Sequence, residues 1–600
     1  MIWKGKGPAT VFKNSRYIHR KETYLPTTCE AMVVGRMKPA ILAASSPYQV
    51  GGQPGHSTEE NIFVIMSLIA LITLTGQGFI MSLVDLVAFF DREQILDVMD
   101  TLDAAKVSRK AAKCWFKLNE KTLIKIKTSS GMTEEAEAGD LVGQGTAGAS
   151  LVSALNLDRG LQQYFHGSSD EVYYGNVRVE YSAWQDDIGK PSKGVMEAQG
   201  HLKKISFMCE EKGLEAHPDK TAFIYFKGSK KHQEKVKKEL QEMPLQFGNC
   251  FKMKQSKEEK YLGQMLHEDG LSASVAATVN SRAGRFRGAC FEIRSVIEEF
   301  TMQAMGGMET AKILLERALL PSLLHGAGNW IRMSKKTEDQ CDDLISLFWR
   351  LMFKVPESTP KISLIAETAT VRTKWRIWQE KLLLVKRLQK QKAASLSRVI
   401  YEEQVKLGWP GLAEEATEIC GKLGLKNVNL HIVKKEEIKN AVFYNHYGNM
   451  KDKIMESKKL ENISHEDFTK EQGYLHGKSV DRCRTEFRIR TEMLDSFKDN
   501  YRAKNRTLER GQEDSDPGLQ CEYCDLPSSR DSQAHCLRCP AWQKHRADLD
   551  LSFIEDLVTY FRRVLAERAD RDEEERKKRR KGREEEEKRR KMANKRTRGQ

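Results

Sequence analysis

Residues 172–190 read VYYGNVRVEYSAWQDDIGK. β-Branched and aromatic residues flank Gly175-Asn176, a two-residue turn signal, so Val172–Asp187 reads as strands joined by hairpins. A strand runs into Asp186-Asp187 and polar residues follow, which sets the pair at a strand-to-strand turn. Two adjacent carboxylates at one turn repel each other and cost stability unless a cation neutralises them. Taken alone, an Asp-Asp pair is more often an ordinary acidic turn, so its meaning depends on what the rest of the chain supplies.

Upstream, residues 79–93 read FIMSLVDLVAFFDRE, with Asp85 at the end of a buried strand after a six-residue apolar run. Such a carboxylate serves core packing poorly and, alone, is more often a helix N-cap. Between the two lies GDLVGQGTAGAS, residues 139–150. Its four glycines let a backbone approach a ligand closely, and Gln144 adds a hydrogen-bonding amide before the next helix. The spacing is not that of a phosphate-binding P-loop. A strand-end Asp, a Gly-Gln loop and a hairpin Asp-Asp, in that order, supply the parts of two-metal phosphoryl transfer. Two divalent cations about 3.5–4 Å apart need shared carboxylates to hold them against substrate phosphates.

The surrounding pattern is consistent with a sheet domain. An apolar helix up to Thr75, strand Phe79–Asp85, helix Arg92–Ala105, alternating residues in KTLIKIKTSSG, helix Val195–Lys212 and strand Thr221–Phe226 make residues 60–270 an α/β or α+β sheet domain. Asn61–Val84 holds a continuous apolar stretch of about 13 residues before Gly76-Gln77-Gly78, short of the roughly 20 a bilayer needs. It reads as buried helix, glycine turn and buried strand. From about Ser281 the pattern is helical, as in METAKILLERALLPSLL and KWRIWQEKLLLVKRLQKQ.

Six hundred residues exceed one core, so about three to five structural units are expected. Lys+Arg 99 against Asp+Glu 84 gives a net charge of +15. Of this, +7 falls in residues 571–600, where fifteen basic residues face eight acidic ones. That balance points to polyanionic partners, nucleic acid first. Twelve cysteines are too sparse for a disulfide scaffold, and the N-terminus lacks an apolar signal segment. An intracellular chain, nuclear or cytoplasmic and not secreted, is expected.

One group of cysteines clusters. Cys521-x₂-Cys524-x₁₀-His535-x₃-Cys539 offers three thiolates and an imidazole at spacings that close a tetrahedral site, with chance cysteines in a loop as the plainer account. Four protein ligands leave no open position, so a bound Zn²⁺ would be structural. Cys536 and His545 are left out of the set. Basic neighbours Arg530, Arg538, Lys544 and Arg546 suit a phosphate backbone.

The motifs, taken in order, resemble the reverse transcriptases of non-LTR (LINE-type) retroelements. Asp85 to Asp91 is similar to the family's first catalytic block, Gly143–Ser150 to its Gln-Gly block, and Trp184-Gln185-Asp186-Asp187 to its Asp-Asp block. Gly213–Thr221 resembles the block whose Lys is a general acid, and Lys260-Tyr261-Leu262-Gly263 the primer grip. Asn14–Ile18 and Gln49–Thr58 look like fingers motifs. The likeness is close over residues 13–275 and looser over 276–400. Two departures stand out: Trp-Gln precedes the Asp pair, and position 88 lacks the Lys many relatives carry. Neither removes a metal ligand.

The resemblance implies an α+β right-hand polymerase: fingers 1–78, palm 79–275 with an antiparallel sheet, helical thumb 276–400, helical connection and linker 401–515, CCHC zinc knuckle 516–548 and charged tail 549–600. It implies an RNA-directed DNA polymerase using an RNA template, a DNA primer or target, and dNTPs, with no membrane partner. Asp85, Asp186 and Asp187 would hold two Mg²⁺ (Mn²⁺ serving in vitro), and Lys220 would protonate pyrophosphate. Arg16 and Arg20 would hold the triphosphate, Phe90 would exclude a 2′-hydroxyl, and Gln144 and Gly145 would touch template and nucleotide. The chain starts close to the first fingers block, as a truncated element would, and no endonuclease domain is expected in cis. The rival account is a decayed remnant that only binds nucleic acid. An RNA-templated RNA polymerase is disfavoured by Phe90. Arg282, Arg285 and Arg287 are candidates for tracking a duplex, and Trp375 and Trp378 read as core.

Overall fold

The computed structural model describes the chain except residues 1, 4–14, 17–23, 120–122, 125–126, 129–130, 135, 138–141, 143–145, 168–170, 301–305, 426–428, 457–459, 461–462, 464–465, 492, 495–520, 522, 525–531, 552–553 and 598–600. It divides into two units: residues 1–282, 324–338 and 374–442 form the first, and 283–323, 339–373 and 443–600 the second. The stretch expected as a thumb, 276–400, is thus shared between them.

In the first unit, helices α1 (Tyr24–Ala44) and α2 (Thr58–Thr75) precede strand β1 (Phe79–Val84). The α2 helix stops at Gly76, whose φ of 66° is left-handed and whose N–H reaches the Ile72 carbonyl at 2.8 Å. Only a residue without a Cβ makes that reversal cheaply. Among the described residues α2 is the one helix long and apolar enough to cross a membrane, yet 67% of it is buried within the chain. This agrees with the buried helix, turn and strand read from the sequence.

Helices α3 (Ile95–Ala104), α4 (Arg109–Asn119) and α5 (Ala149–Phe165) follow. Then come hairpin β2–β3 (Val172–Tyr174, Val177–Val179), strands β4 (Ser182–Trp184) and β5 (Asp187–Ser192), helix α6 (Val195–Glu211) and strand β6 (Ala222–Phe226). Strand β7 (Lys254–Gln255) completes a five-stranded sheet of order β4-β5-β1-β6-β7. The first three pairings are antiparallel and β6–β7 is parallel. Central β1 is buried throughout, as its unbroken apolar run requires. The core on one sheet face joins Ile80, Val84 and Ile188 to Leu157 and Leu161 of α5 and to Leu202 and Ile205 of α6. Strands β8 (Glu258–Tyr261) and β9 (Gln264–His267) form a separate hairpin. The expected mixed helix-and-sheet class is therefore observed.

Strand β5 carries one half of a buried ion pair. The Lys190 ammonium, fully buried, is 2.5 Å from the equally buried Glu171 carboxylate. Burial pushes Lys190 down to about 8, opposed by Glu171.

The second unit is helical among its described residues. Helices Gly307–Leu314, Lys361–Glu367 and Val480–Arg490 belong to it, with Arg490 paired to the buried Glu367 at 2.9 Å. Its last helix, Ile554–Thr597, starts apolar. Val558, Tyr560, Phe561 and Val564 share one core with Ile489, Cys521, Cys536, Cys539 and Trp542. The residues expected as a charged tail, 549–600, therefore begin inside the core of the cysteine module.

Candidate active site and cysteine-histidine centre

Register decides where the carboxylates meet. Ile188 pairs with Val84, and Asp187 pairs with Trp184 across the β4–β5 turn. One further step of the β5–β1 register sets Asp187 opposite Asp85, with Asp186 at the turn beside it. The expected strand-end Asp and hairpin Asp pair thus stand at one edge of the sheet. All three are half-buried.

The chain beyond Asp85 is fixed by a second segment. Residues 85–87 run antiparallel to 215–217: the His217 N–H reaches the Asp85 carbonyl and the Val87 N–H the Glu215 carbonyl, both at 2.8 Å. This brings Lys220 to the site, with Nζ 2.7 Å from Asp85 Oδ2. Lys220 is 59% exposed, so the pair contributes at most about 1 kcal/mol and is easily exchanged.

Two non-glycine residues near the carboxylates hold left-handed backbone: Ala88 at φ 47° and Gln185 at φ 54°. Each costs about 1–2 kcal/mol and persists only where neighbours fix it. Ala88 lies in the turn after β1 and caps the helical turn Phe89–Arg92. Phe89 and Phe90 therefore do not alternate across a strand. Phe89 is buried, whereas Phe90 is half-buried and packs against two cores, its ring 5.3 Å from that of Phe89.

The primer-grip-like hairpin β8–β9 is tied to β4, since the buried Tyr261 hydroxyl donates to the Ser182 carbonyl at 2.8 Å. Arg282 is accounted for internally: its guanidinium donates to the Gly263 and His325 carbonyls at 2.7 and 2.8 Å and lies over Trp330. That removes it from the duplex-tracking candidates, whereas Arg285 and Arg287 are exposed. Trp375 is buried with its ring 4.8 Å from Trp378, as core packing requires. Gln144, Gly145 and Arg20 lie outside the described residues, and of Arg16 only the backbone, in a two-residue strand, is described.

Sequence reasoning assigned Gln49 only to a fingers-like motif and missed its contact with the Asp-Asp turn. The Gln49 amide accepts from the Gln185 N–H at 2.9 Å and donates to the Gln185 carbonyl at 3.0 Å. The residues are 136 positions apart. The Gly51-Gly52 pair was the available signal, because adjacent glycines mark close backbone approach.

At the cysteine centre, the ligand atoms of Cys521, Cys524, His535 and Cys539 all lie within 4.8 Å of one another. Cys521 and Cys539 sulfurs are 3.9 Å apart, and Cys524 Sγ is 3.4 Å from His535 Nε2. Zn–S of about 2.3 Å and Zn–N of about 2.0–2.1 Å give tetrahedral edges near 3.8 and 3.6 Å, so the donor set fits zinc. The two omitted candidates are engaged elsewhere. Cys536 is buried beside Tyr560, and His545 pairs with Glu567 at 2.7 Å. Lys544 also pairs with Glu567, and Arg546 donates to the Leu537 and Cys539 carbonyls at 2.9 and 3.0 Å. These two expected phosphate contacts thus hold the module together. Arg538 is exposed, and Arg530 lies outside the described residues.

Residues 19–266 match the family described as reverse transcriptase (RNA-dependent DNA polymerase). The chain therefore carries a reverse transcriptase domain. Solved structures similar to it include the apo telomerase of Candida tropicalis, at 11% identity and a TM-score of 0.30, covering 70% of this chain and 61% of that one. A C-terminally truncated form of the same telomerase matches at 11% identity and 0.27, covering 40% and 43%. The telomerase of Candida albicans with a TWJ fragment of telomeric RNA matches at 10% and 0.27, covering 63% and 57%. The chain thus spans less than two thirds of the length of these structures. Comparison with curated proteins finds no match.

Proposed function

We propose that the chain is the RNA-directed DNA polymerase of a non-LTR retroelement, extending a primer 3′ end with dNTPs on an RNA template. The observation that carries this reading is the convergence of Asp85, Asp186 and Asp187 on one sheet edge, inside a reverse transcriptase domain. In this reading fingers, palm and thumb occupy residues 1–78, 79–275 and 276–400.

Three carboxylates beside one exchangeable ammonium are a donor set suited to two Mg²⁺ or Mn²⁺ ions. Such ions, when bound, supply positive charge to the attacking oxygen and to the phosphates. Asp85 and Asp186 would be shared ligands and Asp187 a supporting one. Lys220, held at the same edge, keeps a proton available for the leaving pyrophosphate. Phe90 would bound the sugar pocket, and, as the family resemblance implies, Arg16 and Arg20 would hold the triphosphate and Gln144 and Gly145 would touch template and nucleotide. Cys521, Cys524, His535 and Cys539 would hold one structural Zn²⁺.

Primer extension on poly(rA)/oligo(dT) tests the reading. Wild-type protein is expected to extend the primer with Mg²⁺. Asp186→Asn is expected to lower the rate at least 10³-fold, about 4 kcal/mol, with folding and nucleic-acid binding retained. Full activity in the variant would sink the metal assignment. Nucleic-acid binding without any extension by wild type would leave the binding-only remnant as the better account.

A further inference from the structure

We propose that Gln49 is a positioning residue for the Asp186-Asp187 turn, an inference that rests on the polymerase reading. The turn carries a conformational problem of its own. Gln185, the residue before the pair, has a left-handed φ of 54°, which a side chain with a Cβ resists. Left alone, the turn would relax toward negative φ and carry Asp186 with it.

Gln49 opposes that relaxation from both sides of one residue. Its side chain is 1% exposed. Oε1 accepts from the Gln185 N–H at 2.9 Å and from the Gly51 N–H at 3.0 Å, while Nε2 donates to the Gln185 carbonyl at 3.0 Å. One amide thus serves the donor and the acceptor of Gln185, as a neighbouring strand would if the sheet continued past the turn.

The clamp is itself held. Tyr48 and Val50 bond with the Ala183 backbone on β4, at 2.9 and 3.4 Å, so the segment lies along the strand that leads into the turn. Gln53 Nε2 donates to the Gln49 carbonyl at 2.6 Å. Ser46 anchors the near end, its N–H and hydroxyl reaching the buried Asp158 carboxylate at 2.7 and 2.5 Å.

Two glycines make the approach sterically possible. A Cβ at Gly51 would stand 2.3 Å from the Gln185 nitrogen, and one at Gly52 2.6 Å from the Ser150 carbonyl. The same loop therefore touches the Asp-Asp turn and the start of α5, where the Gly-Gln block ends. Core packing alone would not require an amide at position 49, since a methionine fills similar volume. The pairing with both polar groups of a strained residue is what points to positioning.

The test compares wild type, Gln49→Met, Gln185→Gly and the double variant. Glycine adopts φ 54° freely, so at position 185 it should remove the need for the clamp. Measured are thermal midpoint, template–primer affinity, kcat and KM for dNTP with Mg²⁺, and Mn²⁺ affinity without nucleotide. Gln49→Met is expected to lower kcat at least tenfold and Mn²⁺ affinity at least threefold. KM and template–primer affinity should stay within threefold. Adding Gln185→Gly is expected to restore at least threefold of the lost kcat. Absence of that rescue, or a kcat loss that only tracks the unfolded fraction, overturns the proposal.

If wild type extends no primer, the polymerase reading fails separately, and the Mn²⁺ arm decides the clamp. A site that Asp186→Asn abolishes but Gln49→Met leaves unchanged overturns it, and so does the absence of any Asp186-dependent site.

Discussion

Replacing Cys524 with serine should release zinc and open the C-terminal module, whereas Cys536→Ser should do neither. Cys524 Sγ lies 3.4 Å from His535 Nε2, a tetrahedral edge of the four-ligand set, while Cys536 lies outside that set beside Tyr560. Structural zinc contributes roughly 10–16 kcal/mol in small modules, as much as the whole stability of an ordinary domain at about 5–15. The core that would bear this loss is small: Trp542, Tyr560, Phe561 and Val564 are all fully buried, and each packs in the cluster that includes Cys521 and Cys539. Without the ion the start of helix Ile554–Thr597 loses the surface it packs on. Arg568 makes this visible, being 5% exposed with its guanidinium over the Tyr523 ring at 4.6 Å.

Zinc content and limited trypsin digestion with mass spectrometry provide the assay. Wild type and Cys536→Ser should hold one zinc per chain and resist cleavage at Arg568. Cys524→Ser, and wild type treated with chelator, should hold none, cut rapidly at Arg568 and shift Trp542 emission to the red. Equal zinc content in the two variants would refute the ligand assignment. Zinc loss with Arg568 still protected would refute the coupling between the ion and the helix.

Phe90→Ala should raise rNTP over dNTP incorporation, as the ratio of kcat/KM, at least tenfold, about 1.4 kcal/mol. Matched single-nucleotide kinetics check this, and a fall in both activities at constant ratio would make Phe90 a packing residue only. Glu93, buried and hydrogen-bonded by Asn156 at 3.0 Å, is pushed up from 4.5 to about 7 by desolvation. Its folded value lies above its unfolded one, so its contribution is fully present below pH 4.5 and is lost as pH rises through 7. The change amounts to about 3 kcal/mol at most. Denaturant melts between pH 4.5 and 7.5 should show Glu93→Gln with a flatter profile than wild type, and an unchanged slope would contradict the shift.

The parts of the site readable in the sequence are those encoded over short distances. Gly175-Asn176 announces a hairpin, and the apolar run before Asp85 announces a buried strand with a carboxylate at its end. Cys521, Cys524, His535 and Cys539 carry their geometry in their spacing, and the structure gathers those four and no spare. The helical turn at Phe89-Phe90 is not legible in the local pattern. Ala88 adopts a left-handed backbone that nothing in its own side chain favours, and Phe89-Phe90 open a helical turn. What fixes Ala88 is the antiparallel partner 215–217, which local pattern does not specify.

The tail teaches a different lesson about averaging. Ile554, Leu557, Val558, Phe561, Val564 and Leu565 carry helical apolar spacing, a signal as good as that of residues 373–390. The window that follows is almost wholly charged, so an average over 549–600 hides that spacing. Pattern must be weighed turn by turn at a boundary, since three apolar turns suffice to dock a helix. The Gln49 clamp is harder still. A single glutamine amide bridging 136 residues leaves no periodicity, and only the two glycines beside it mark the approach. Long-range polar contacts to backbone are set by where the chain is held, here by Ser46 on Asp158 and Tyr48 on Ala183. Such a residue is recognised by asking which buried amide satisfies a strained neighbour, a question that needs the fold before it has an answer.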